Sequence, residues 1–169
     1  MKMLTRTGLL ATVLAGCTTL ALGQAREKGF GMGFILGEPS GLSIKGYIKE
    51  DRAIAAGLAW SLRTGNAFHI HADYLFHNFN AIKVNKGRLP FYYGPGIRLR
   101  TWENGRYWRR GEWHELDGSA DLAVRFPLGL AYEFGSAPLD VFLEVVPALG
   151  LLPETYVDVD AGLGMRFWF

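Results

Sequence analysis

The 169-residue sequence contains one cysteine, Cys17, so it can form neither an intrachain disulfide nor a multi-thiol metal site. Charge of a dominant sign is also missing, with 18 basic against 16 acidic residues. Lys2 and Arg6 fall in the first 25 residues, which hold no acid, leaving residues 26–169 balanced at 16 to 16. That balance gives no argument for a nucleic-acid partner. Beyond the N-terminal stretch no segment approaches the roughly 20 consecutive apolar residues of a spanning helix. There is no phosphate-binding glycine loop, because the 22 glycines follow a strand phase.

What is present begins with an export leader. Residues 1–25 carry Lys2 and Arg6, an apolar stretch from Leu9 to Leu22, and small residues at Gly23 and Ala25. Cleavage after Ala25 is expected, with Gly23 the neighbouring choice. Within the same segment Leu14-Ala15-Gly16-Cys17 matches the bacterial lipobox, which makes Cys17 a candidate for lipidation. The apolar run continues past it to Leu22, as in an ordinary leader, and both routes imply export. The remaining 144 residues, 26–169, suit one domain.

The last fifteen residues alternate without a break. Val157, Val159, Ala161, Leu163, Met165, Phe167 and Phe169 fall on one face; Tyr156, Asp158, Asp160, Gly162, Gly164, Arg166 and Trp168 fall on the other. A period of two is the strand signal. Seven further alternating segments lie upstream, within residues 30–36, 42–48, 54–62, 68–77, 91–100, 122–134 and 139–145. None has a charge on its apolar face. Eight strands is the smallest even count for a transmembrane barrel.

Alternation alone also fits a soluble barrel with its apolar face inside. Two features favour the opposite sense. The polar faces are rich in Gly and Ala, as a crowded narrow lumen requires, and their charges nearly balance: Lys45, Arg98, Arg100, Arg125 and Arg166 against Asp73, Glu133, Asp140, Glu144, Asp158 and Asp160. In an up-and-down topology Phe30, Tyr74, Phe76, Phe91, Tyr93, Tyr132, Phe134, Phe167 and Phe169 also collect at one end, as an interfacial aromatic girdle does. The expected fold is therefore all-β, an eight-stranded antiparallel up-and-down transmembrane β-barrel with both chain ends on the periplasmic side.

The stretches GFGMGFILGEPSGLSIKGYI, FHIHADYLFHNF, GRLPFYYGPGIRLR and VFLEVVPALGLLPETYVDVDAGLGMRFWF resemble a family of small, functionally uncharacterised outer-membrane β-barrels. The terminal Phe169, after apolar residues at every second position, resembles the assembly signal of that class. The resemblance implies an architecture comparable to the OmpA transmembrane domain, a place in the cell outer membrane and recognition of the last strand by barrel-assembly machinery. It brings no catalytic residues. Lipids of the outer membrane are the expected surroundings, and a monomer without cofactor is the expected state.

The opposed charges are expected to fill the lumen, since eight strands leave an interior just wide enough for side chains and unpaired charges in a low dielectric are costly. Unpaired, they would instead line a narrow channel. His69, His71 and Asp73 share the lumen face of one strand and could ligate zinc. Same-face neighbours lie roughly 7 Å apart along a strand, however, and ordinary lumen hydrogen bonding is the plainer reading. In the long segment 101–119, Trp102, Tyr107, Trp108 and Trp113 intermingle with Arg106, Arg109 and Arg110, a mixture suited to anionic headgroups or sugar phosphates. The alternative is a hairpin turning at Asn104-Gly105 that only prolongs two strands. A lipid-modifying enzyme would need a nucleophile, base and acid; His114 and Ser119 with Glu112, Glu115 and Asp117 form no recognisable catalytic motif. The connection of residues 78–88 is long for the periplasmic side and suggests no function.

Overall fold

The computed structural model describes residues 29–61, 67–101, 105–109, 112–116 and 120–169. The expected leader, residues 1–25 with Cys17, lies outside them. All regular structure among the described residues is strand: β1 Phe30–Glu38, β2 Ser40–Lys49, β3 Arg52–Ser61, β4 Ala67–Asn78, β5 Phe91–Tyr93, β6 Gly96–Thr101, β7 Gly105–Arg109, β8 Glu112–Leu116, β9 Ala120–Arg125, β10 Leu128–Glu133, β11 Leu139–Leu152 and β12 Tyr156–Trp168.

Antiparallel pairing runs from β1 through β4, then through the pairs β5/β6 and β9/β10 to β11 and β12. The sheet closes where β12 returns to β1, with Met32 opposite Phe167 and Leu36 opposite Leu163. β5 and β6 are one strand interrupted at Gly94-Pro95, and β9 and β10 one strand interrupted at Phe126-Pro127. The ten segments thus make a closed barrel of eight strands. Both interruptions have the same cause, since proline has no N–H to give the ladder. With Pro147 in β11 they form a line of prolines across three neighbouring strands. Their carbonyls still accept, from Tyr74 N (2.9 Å), Gly94 N (3.2 Å) and Phe126 N (2.9 Å). β11 continues past Pro147 to Leu152, seven residues beyond the alternation read from Leu139 to Val145.

The segment between β6 and β9 holds a separate two-stranded sheet, β7 with β8. Gly105 stands within β7 opposite Leu116, and Arg109 opposite Glu112, so Gly105 is a strand residue and not the turn read at Asn104-Gly105. The observed register sets Arg106 against Glu115, Arg109 against Glu112 and Trp108 against Trp113.

Burial follows the alternation with the sides inverted relative to a soluble protein. On the outer wall Val157 is 77% exposed, Leu36 68% and Phe34 63%, while Lys45, Arg98, Asp121 and Asp140 are fully buried in the lumen. The lumen glycines make room for large side chains directly opposite them in the register. Gly129 faces Tyr92, Gly150 faces Tyr156 and Gly164 faces Phe142, and Gly31 faces Trp168. A Cβ at Gly129 would lie 2.3 Å from the Tyr92 ring. The outward aromatics gather at the end where the described chain begins and ends. Tyr74 contacts Phe76 (ring centroids 5.2 Å), Phe76 stacks on Tyr93 (5.7 Å), Tyr132 meets Phe134 (4.8 Å) and Phe167 meets Phe169 (5.0 Å). At the other end Trp60 and Phe68 make an edge contact at 5.7 Å.

Candidate functional site: the charged lumen

Because successive residues of a strand point to opposite sides, every second position of the barrel delivers a side chain to one shared interior. The lumen charges sort into three tiers. In the tier furthest from the chain ends, β6 supplies Arg98 and Arg100, and β9 and β12 supply acids. Arg98 Nη1 lies 3.0 Å from Asp160 and 3.2 Å from Asp158, and Nη2 lies 3.4 Å from Asp121. Arg100 lies 3.3 Å from both Asp158 and Asp121. Tyr156 Oη accepts from Arg98 (3.1 Å) and Arg100 (2.7 Å) and donates to Asp121. Two cations and three carboxylates are thus tied across the barrel.

In the middle tier Arg125 of β9 pairs with Asp73 of β4 at 3.1 Å and reaches Glu144 of β11 at 3.6 Å. Tyr92 Oη donates to Glu144 at 2.9 Å. His71 Nε2 is 3.9 Å from Asp73, and its ring meets that of His69 edge-on at 5.2 Å. Among the described residues no three His, Cys, Asp or Glu side chains are grouped as metal ligands. A gap of about 10 Å³, roughly one water, lies among His71, Arg125, Glu144 and Asp160.

In the tier nearest the chain ends, Arg166 Nε donates to Asp140 at 3.1 Å and its guanidinium covers the Phe142 ring at 3.8 Å. Trp168 Nε1 donates to the other Asp140 oxygen at 2.9 Å. Lys45 is held differently. Its Nζ has no hydrogen-bond partner among the described residues and sits over three rings: Tyr47 at 4.9 Å, Tyr92 at 5.2 Å and Trp168 at 5.9 Å. Ring quadrupoles attract a cation over their faces.

At the mouth of this end sit Phe79 and Arg88, from the connection of residues 79–90. Phe79 packs against the cluster of Tyr47, Ala53 and Trp168, and the Arg88 guanidinium lies 4.7 Å over the Phe79 ring. Arg88 and Glu133 exchange backbone hydrogen bonds of 2.9 and 2.8 Å. Their side chains pair at 2.7 Å, and Tyr47 Oη donates to the same carboxylate at 2.8 Å. Charge-assisted bonds of this kind contribute about 1.5–3 kcal/mol. Arg88→Ala is therefore expected to free the strap locally while leaving the barrel folded. The check is the rate of tryptic cleavage after Lys83 and Lys86, which should rise; an unchanged rate would mean that Arg88 does not hold it.

The residues read from sequence as lumen charges, Lys45, Asp73, Arg98, Arg100, Arg125, Glu133, Asp140, Glu144, Asp158, Asp160 and Arg166, all lie on the inner face, and all but Lys45 have an ionic partner there. Asp121 and Arg88 add one charge of each sign. Asp121 shares the odd phase of Arg125 but precedes Leu122, where that alternation was taken to begin. Arg88 stands in irregular chain and has no periodic signal. Tyr47, Tyr92, Tyr156 and Trp168 carry the right phase, and only the register reveals them as partners of the charges. Of the long-loop residues, Trp102 and Arg110 lie outside the described residues, and Arg106, Trp108, Arg109 and Trp113 are placed as backbone of β7 and β8.

A closed antiparallel barrel with an apolar wall and a charged interior has the architecture of outer-membrane β-barrel proteins. The structure is similar to the N-terminal β-barrel domain of Pseudomonas aeruginosa OprF, with a TM-score of 0.61 and 16% identity, covering 86% of this chain and 100% of that one. It is also similar to Neisserial surface protein A, NspA, with a TM-score of 0.50 and 12% identity over 84% of this chain and 95% of that one. At these identities the likeness is one of fold. Residues 23–167 match the family described as a protein of unknown function, DUF3996, and the chain belongs to that family. No curated protein matches it.

Proposed function

We propose that the chain is an integral protein of the bacterial outer membrane, exported by its first 25 residues, with its chain ends facing the periplasm. Its lumen is plugged by its own ion-pair network, and its role is structural or one of surface interaction, without cofactor or catalysis. The observation that carries this reading is the inversion of sides: exposed Phe34, Leu36 and Val157 outside, fully buried Arg98, Lys45 and Asp140 inside. A closed sheet satisfies its backbone groups without water, as lipid requires. The partners that follow are outer-membrane lipids around the wall, assembly machinery that reads β12, and anionic groups at the outer hairpin; one copy suffices to close the barrel, and nothing calls for nucleic acid.

The plug is supported by the cross-lumen pairs of Arg98 with Asp158 and Asp160 and by the pair of Arg125 with Asp73 on a non-adjacent strand. A narrow channel has one observation in its favour, the water-sized gap beside Arg125 and Glu144. Two measurements decide. The unboiled protein should migrate apart from the boiled one in detergent gels, and identical migration would count against a membrane barrel. In planar bilayers the protein should give no reproducible conductance steps; steps abolished by substituting lumen charges would replace the plug with a channel.

A further inference from the structure

We propose that the strap of residues 79–90 is a contact surface for anionic phospholipid in the leaflet nearest the chain ends. The inference rests on the membrane reading above and adds a ligand to it. The strap reads Phe79-Asn80-Ala81-Ile82-Lys83-Val84-Asn85-Lys86-Gly87-Arg88-Leu89-Pro90, with three basic residues and no acid. It is anchored on both sides of the barrel wall. Phe79 turns into the mouth, against Tyr47 and His77 (ring centroids 6.4 and 6.0 Å). Lys86 is held outside, because its carbonyl accepts a 3.0 Å hydrogen bond from the hydroxyl of Tyr132, an outward-facing girdle residue in contact with Phe134. Gly87 makes that placement possible: its φ is +72°, and a Cβ there would lie 2.4 Å from the Glu133 carbonyl oxygen.

The strap therefore passes from the lumen axis to the level of the aromatic girdle. Between these two anchors Ile82 and Val84 are 38% and 36% exposed, with Lys83 and Lys86 exposed beside them. Branched apolar side chains alternating with ammonium groups, level with interfacial aromatics, match a boundary where acyl chains meet negative headgroups. Among the described residues Arg88 pairs inward with Glu133, and the two exposed lysines are the cations placed to face the leaflet. Soluble phosphate offers the charge but nothing for Ile82 and Val84, so the occupant is the lipid.

The test uses the full chain with Cys17→Ser and a donor fluorophore on Val84→Cys, reconstituted in phosphatidylcholine bilayers carrying an acceptor on either phosphatidylglycerol or phosphatidylcholine headgroups. Energy transfer to phosphatidylglycerol should exceed transfer to phosphatidylcholine. The excess should fall roughly fivefold for each of Lys83→Gln and Lys86→Gln, the factor for one basic residue at an anionic surface. Equal transfer to both lipids, or an excess that survives the double substitution, would overturn the proposal. Gel migration of every variant is read in parallel, so a barrel that inserts without lipid preference refutes the strap and spares the membrane reading.

Discussion

Arg98→Met is expected to destabilise the folded barrel by about 3–5 kcal/mol, the range for breaking a buried ion pair by removing one partner. Arg98 is fully buried and touches Asp121, Asp158 and Asp160. Without it Asp121 and Asp158 keep their contacts with Arg100, and Asp160 loses its 3.0 Å partner. Methionine restores volume but no charge. Adding Asp160→Asn to Arg98→Met should recover part of the loss, because it removes the carboxylate left most exposed to repulsion. Arg98→Lys should rescue poorly, since an ammonium cannot span three acceptors as a planar guanidinium does. Urea unfolding in lipid vesicles measures each difference. A loss below about 1 kcal/mol, the range of solvent-screened pairs, would mean that water reaches these charges and the plug is no plug.

Gly33→Ala should be more disruptive still, although it adds one methyl group. Gly33 stands on β1 at the closing pair with β12, opposite Arg166. A Cβ there would lie 1.8 Å from the Met165 carbonyl oxygen and 2.7 Å from the Arg166 Cα. Backbone atoms in a ladder cannot swing aside as a side chain can, so the penalty should exceed the about 1–3 kcal/mol of ordinary overpacking. The expected result is loss of the heat-modifiable form. Gly46→Ala is the matched control, with nothing within 4 Å of its Cβ, and should change stability by no more than about 0.5 kcal/mol. Equal behaviour of the two variants would show that the seam has slack.

The strands were legible because each of them has to present one face to an apolar surround and the other to a crowded polar one, which imprints a period of two with little noise. His69, His71, Asp73 against Ile70, Ala72, Tyr74 is such an imprint. Interruptions were less legible. Pro95 and Pro127 remove ladder donors without shifting the phase, so the two strands looked continuous, whereas Pro147 ended the reading of a strand that runs on to Leu152. The lumen charges could be enumerated from phase, but not paired. Which acid meets Arg98 depends on the shear of the closed sheet, which brings β6 against β12 across the interior. The strap was opaque for a plainer reason: Arg88 and Phe79 gain meaning from Glu133 and Tyr47, and no local pattern connects them.

Trp168 ties closure of the wall to closure of the mouth. It lies over Gly31 of β1 and stacks on Tyr47 of β2 at 5.3 Å, so its seat is built by strands from the opposite end of the chain. Trp168 occupies that seat only when β12 is paired with β1. The indole is the last inward-facing side chain of the sequence, and its arrival completes the ring set around Lys45. The environment of this indole therefore reports the pairing of β12 with β1. In a chain whose other tryptophans are replaced, the emission of Trp168 would time the final step of assembly.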